Sequence, residues 1–342
     1  MATITGPLRR TLRVPANALL AFVALYFVVL TAVLTLYGGW TTPDLYLPGL
    51  FLIAIVLGRG RRFVADWLPF LGLLLGYESL RSAVDVINTQ VHWATLANVD
   101  TFLGFGVSPT HRLQDWFYRP GVNPLNVSVA IVYLLHFVAP VGLAFALWLR
   151  DRRAYWRFTS ALLLVSFAGY FTFLAFPAAP PWMAAQRGYL PAVHTVIPDT
   201  LSQIVHPGLV AFAWSNVGSN AVAPFPSLHA AWPMIVALAL ATYTKARLGR
   251  WRWLLFLYPA FVGFAVIYGG EHYLIDVIAG YAYATAAFLA VEWIAAWMAR
   301  RGAERAEEPL HDELDGRLTG PVSVPAGPHP PAPSPDAAGE GE

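Results

Sequence analysis

Long apolar runs, each stopped by a short polar or basic segment, set the pattern along this chain. About 20 apolar residues cross a bilayer core as a helix. The runs at 18–36, 46–57, 63–87, 127–149, 158–176, 228–243, 253–268 and 272–298 therefore predict about eight spans. The second is short and contains Pro48, which reads as a tilted or re-entrant segment as well as a full crossing. Between the third and fourth runs, residues 92–120 mix Trp93, Phe102, Phe105, Trp116 and Phe117 with polar residues. That mixture predicts one or two helices lying in the membrane interface, where aromatic rings prefer to sit. Residues 177–222 form the longest connection.

Composition agrees with this pattern, at 57% hydrophobic and 12% charged residues. The fold class is all-α, a polytopic membrane helical bundle with interfacial helices. A cytoplasmic N-terminus at 1–15 precedes a membrane domain at 16–300, and a charged, then Pro-, Gly- and Ala-rich tail at 301–342 is expected to be disordered. The basic segment before the first apolar run resembles a signal peptide, but the run is too long and lacks a cleavage site, so a retained helix is expected. The absence of Cys excludes disulfides and thiol nucleophiles. No repeat, nucleotide loop or nucleic-acid-binding pattern is present.

The distribution of charge orients the bundle. With about eight crossings, all of the 22 Lys and Arg fall on one side except Arg81, Arg112, Arg119 and Arg187. Both termini are then cytoplasmic, and the protein is expected in the plasma membrane.

Titratable residues at the ends of apolar segments point to chemistry. The first group lies in APFPSLHAAWP, residues 223–233, and the second in YGGEHYLIDVIAG, residues 268–280. His272 and Asp276 are four apart, so a helix would place them on one face. The carboxylate then accepts the Nδ1 proton and leaves Nε2 free to attack an electrophile. Ser227 precedes an apolar run as a helix cap does, and a helix N-terminus is a ready phosphate site. His229 in the same turn is placed to protonate a leaving oxygen. On the orientation above, both histidines face outward.

FPSLH and HYLID resemble the second and third signatures of the phosphatidic acid phosphatase type 2 superfamily, P-S-G-H and S-R-x5-H-x3-D. The HY-x-ID string is similar to its lipid phosphotransferase branch, which includes inositol phosphorylceramide synthase. The resemblance implies a six-helix phosphatase-type core, with His272 as a nucleophile that becomes phosphorylated, Asp276 orienting it and His229 as acid and later base. Leu228 replaces the usual Gly, and Ala265 and Val266 stand where Ser and Arg would be. Another arginine must therefore supply charge to the phosphate. Arg81 lies in the third apolar run at helical spacing from Glu78 and Asp85, which reads as a phosphate contact or as a structural ion pair. Arg112 and Arg119 in RLQDWFYRP resemble the first signature, Lys-x6-Arg-Pro. His136 sits deep in the fourth run, bonded between helices or lining a headgroup pocket.

The implied reaction moves a phosphoryl or phospho-headgroup, inositol phosphate among the candidates, from a lipid donor to an acceptor at the outer face. The donor is a phospholipid or prenyl phosphate, and the acceptor is water or a small polyol. A simple lipid phosphate phosphatase shares every residue, with water as acceptor. A non-enzymatic lipid transporter would use the same polar groups as a path. Two His and one Asp suit zinc in kind, but the His-Glu-x-x-His spacing is absent, so neither a metal nor another cofactor is expected.

Overall fold

A computed structural model describes residues 43–205, 210 and 222–319; the first predicted span, the N-terminus and 320–342 lie outside it, as does most of 206–221. Among the described residues there are no strands, only an isolated bridge between His92 and Ala178. The chain divides into a main unit, 1–293, and a second unit, 294–342.

The main unit opens with α1 (Pro43–Val56) and α2 (Gly60–Arg81), followed by the short α3 (Val84–Ile87). The single span expected over 63–87 is thus interrupted after Arg81. Ser82 there turns its hydroxyl back onto the Ser79 carbonyl at 2.8 Å, a local bond that competes with helix continuation. Two interfacial helices follow as the aromatic pattern predicts, α4 (Thr95–Leu103) and α5 (Pro109–Phe117). Phe102 and Trp116 are exposed on them, and Phe105 is exposed in the turn between.

Next come α6 (Pro124–Arg150) and α7 (Arg152–Ala175), a helical hairpin turned by one residue. Asn123 caps α6, and Asp151 caps α7 by accepting the Arg153 and Ala154 amides. The long connection carries α8 (Pro181–Gln186) and α9 (Val196–Ile204). Then follow α10 (Leu228–Tyr243), the short α11 (Lys245–Leu248), a 3-10 segment at Gly249–Phe256, α12 (Leu257–Tyr268) and α13 (Leu274–Thr319). Five of these stretches are long and apolar enough to cross a membrane, and Leu47–Val56 and Leu228–Tyr243 are shorter apolar helices. The protein is an integral membrane helical bundle.

The last helix, α13, runs on past residue 301 to Thr319. Its Ala, Glu and Arg residues are strong helix formers, and they extend a helix already nucleated.

In the main unit α10 packs against α6, α7 and α12, and α6 against α7 and α12. Arg59, Arg152 and Arg157 gather at one end. Asp66 on α2 is fully buried there, receiving Arg152 Nε at 2.9 Å and Trp148 Nε1 at 2.9 Å. Arg59 donates to the Leu149 carbonyl, and Arg157 pairs with Glu292 at 2.9 Å. A buried carboxylate is tolerable only when paired and bonded in this way. Tyr133 on α6 lies about 25 Å along the helix from Arg150, at 1.5 Å per residue. Tyr133, whose hydroxyl lies 3.2 Å from His229 Nε2, therefore sits at the end opposite that basic cluster, and the candidate site with it.

Candidate active site

The two motif segments meet through backbone. The Ser227 amide donates to the Asp276 carbonyl at 2.9 Å. A Cβ on Gly280 would collide with the Ser227 carbonyl oxygen, so only glycine allows this approach. Ser227 is fully buried, and its Oγ accepts the Ala230 amide at 3.3 Å as the cap of α10. The first-turn amides of Leu228 and His229 have no acceptor within the helix.

His272 lies in the turn before α13, whereas a helix was predicted from that residue onward. Tyr268 ends α12, and Gly270 takes a φ of 79°, a left-handed turn that glycine adopts without strain. Asp276, in the first turn of α13, nevertheless reaches back. Its Oδ2 accepts the Tyr273 amide at 2.9 Å and lies 3.4 Å from His272 Nδ1. Both side chains are buried.

The other ring nitrogen of His272, Nε2, lies 2.8 Å from His229 Nδ1. His229 Nε2 in turn lies 3.2 Å from the hydroxyl of Tyr133, and the Tyr133 ring stacks on the imidazole. His136 is buried beside them, with its Nδ1 on the Tyr133 carbonyl oxygen and its ring edge-on to His229 at 4.5 Å.

The three arginines are placed differently. Arg81 is within electrostatic range of His229 and Tyr133, and its guanidinium is held by Glu78 at 3.1 Å. Asp85 falls in the separate helix α3, and its side chain lies outside the described part, so the helix break removes the predicted single face. Arg112 donates to the Gly104 carbonyl at 2.7 Å, closing the end of α4. Arg119 is exposed and donates to the Tyr118 carbonyl. Ala265 and Val266 are buried in the apolar core.

Four functional neighbours escaped the sequence reading. Gln114 on α5 donates to the carbonyls of Tyr268 and His194 at 2.8 and 2.9 Å and accepts the His194 amide, stapling the interfacial helix over the turn that carries His272. Asp100 on α4 accepts the Ile275 amide at 3.3 Å and the Ser108 hydroxyl at 3.2 Å. It supplies negative charge to the start of α13, where a helix dipole favours it. Burial, opposed by these bonds and reinforced by nearby Asp276, pushes the Asp100 carboxyl up to about 6. Tyr133 and Gln114 carry no local signal, because each reaches its partner only through the fold.

The fourth, Glu271, did carry a signal as a carboxylate within an apolar stretch. Its Oε1 is sealed from solvent without a hydrogen-bond partner among the described residues. Burial first, with Asp199 adding to it, pushes the carboxyl up to about 8. A folded-state value raised above the unfolded one means that the folded protein binds the extra proton. Stability from this group is complete at low pH, falls as pH rises from the ordinary carboxylate range through about 8, and levels off above. Glu271→Gln is expected to flatten that fall. Thermal unfolding of detergent-solubilised protein between pH 5 and pH 9 (about four units) checks it, and parallel curves for the two proteins would contradict it.

Among the described residues, no group of three or more His, Asp or Glu is arranged to hold a metal ion.

Comparison with known proteins identifies the family. A family model described as PAP2 superfamily matches residues 94–290, more than half of the chain. The phosphoinositol dihydroceramide synthase of Bacteroides thetaiotaomicron is 29% identical over 282 residues, covering 78% of this chain and 88% of that protein. The inositol phosphorylceramide synthase catalytic subunit of Schizosaccharomyces pombe is 27% identical over 188 residues, which is 53% of this chain and 40% of that protein. No solved structure matches. The match spans both histidine segments and the interfacial helices that hold them, and the chain is accordingly a membrane enzyme of the PAP2 superfamily, the phosphatidic acid phosphatase type 2 group of phosphotransferases and phosphoric ester hydrolases.

Proposed function

We propose that this enzyme transfers a phosphoinositol headgroup from a phosphoinositol lipid to the hydroxyl of a ceramide-class lipid, through a phosphohistidine at His272. The observation that carries the chemistry is the 2.8 Å separation of His229 Nδ1 and His272 Nε2, which presents a nucleophile and an acid to one phosphorus atom. The names of the two relatives support the headgroup and the acceptor class. The small polyol predicted as acceptor then becomes part of the transferred group, and a lipid takes its place.

The donor phosphate displaces His229 from the His272 lone pair. His272 Nε2 attacks phosphorus, held in its reactive tautomer by Asp276, and His229 gives its proton to the departing diacylglycerol-type oxygen. The first-turn amides of Leu228 and His229, the Ser227 hydroxyl and Arg81 hold the phosphate oxygens, replacing the missing signature arginine. The acceptor hydroxyl then loses its proton to His229 and attacks the phosphohistidine. The whole assembly lies at the end of the bundle away from the basic cluster, which the positive-inside rule places at the outer face of the plasma membrane.

Purified protein incubated with phosphatidylinositol labelled in its headgroup, plus ceramide, tests this reading. The label is expected to move to the ceramide. Label released only as free inositol phosphate would identify a hydrolase with water as acceptor, and no turnover of the donor would remove the proposal.

A further inference from the structure

The side chains Tyr133, His229, His272 and Asp276 form a line whose polarity is fixed at one end. Asp276 Oδ2 accepts the Tyr273 amide, and as a carboxylate oxygen it can only accept from His272 Nδ1 as well. The His272 proton is therefore on Nδ1, and Nε2 presents a lone pair. Facing that lone pair at 2.8 Å, His229 Nδ1 is the donor. His229 Nε2 is left to the Tyr133 hydroxyl at 3.2 Å. A phenol both donates and accepts, whereas a carboxylate only accepts. Tyr133 can thus donate to Nε2 when the single proton of neutral His229 is on Nδ1, and accept from it when Nε2 carries a proton, in the imidazolium or in the other neutral tautomer.

We infer that Tyr133 is the positioning residue of His229: by holding Nε2 in both protonation states, it reserves Nδ1 for proton exchange with the reacting lipids. The inference rests on the acid–base role given to His229 above. In the first half-reaction the His272 Nε2–P bond forms while the P–O bond to the leaving alcohol breaks. The imidazolium Nδ1 proton passes to that oxygen, leaving neutral His229 with Nε2–H donating to Tyr133. In the second, Nδ1 takes the acceptor hydroxyl proton as that oxygen attacks phosphorus and the N–P bond breaks. Atoms and charge return to the start. Without the hydroxyl, Nε2 loses the partner that occupies it in every protonation state, and part of the population presents Nε2 instead of Nδ1 to the reacting lipids.

Tyr133→Phe keeps the ring that stacks on His229 at 5.2 Å between centroids and removes only the hydroxyl. The full-length protein in detergent is assayed in a single turnover with phosphatidylinositol and with the p-nitrophenyl ester of inositol phosphate, whose leaving group needs no proton. The lipid rate is expected to fall about 10- to 100-fold, within what a general acid contributes, with KM little changed. The nitrophenyl rate is expected to fall far less, so the ratio of the two shifts by about tenfold or more. That ratio comes from one preparation and does not depend on the fraction folded. Equal losses on both substrates, or no loss on either, would overturn the inference. His229→Ala in parallel separates the levels: an unchanged ratio there means that His229 is not the acid, and the reading beneath fails too.

Discussion

Replacing His272 with alanine is expected to abolish headgroup transfer, with a loss of about 10⁴-fold or more, because no other side chain takes over a covalent step. The variant should fold. His272 is flanked by a turn secured from elsewhere: the Glu271 and His272 amides both bond the Val266 carbonyl, Gln114 clamps Tyr268, and Asp100 receives the Ile275 amide. The check is a rapid-quench experiment with phosphate-labelled donor. Wild-type protein should retain acid-labile label characteristic of a phosphohistidine, and the variant none. Retained label or near-native turnover in the variant would move the nucleophile elsewhere.

Asp276→Asn is expected to slow transfer by about 10²-fold, and Asp276→Ala by about 10³-fold or more. The difference follows from local geometry. Oδ2 accepts the Tyr273 amide, so an asparagine there turns its carbonyl oxygen, not its NH2, toward that donor and toward His272. The reactive tautomer of His272 survives in the asparagine variant, and only the negative charge that stabilises the imidazole during attack is lost. Alanine removes both. Single-turnover rates of the two variants decide the point, and equal losses would show that charge alone matters. The amide also places an NH2 where Oδ1 now lies buried with no hydrogen-bond partner among the described residues, so a modest drop in thermal stability should accompany the rate effect.

The sequence displayed the bundle because apolar runs of membrane length leave few alternatives, and the basic segments between them bound each helix. His229, His272 and Asp276 were legible for the same reason, since titratable groups stand out against an apolar background, and Ser227 was legible as a helix cap. What stayed hidden depends on contacts between distant segments. Asp100 lies 175 positions before the amide it caps, and Tyr133 lies 96 positions before His229. The break after Arg81 was missed because a serine hydroxyl decides it, and no periodicity reports a hydroxyl rotamer.

The close passage of Gly280 beside Ser227, with the Ser227 amide on the Asp276 carbonyl, rivets the two reactive segments into one piece. Their mutual spacing is set by main chain, which a side chain at Gly280 would disturb and replacements elsewhere leave in place. Lipid preference can then diverge in the surrounding loops and interfacial helices over evolutionary time while the reaction centre stays constant, and an engineer seeking a new acceptor should leave that crossing untouched.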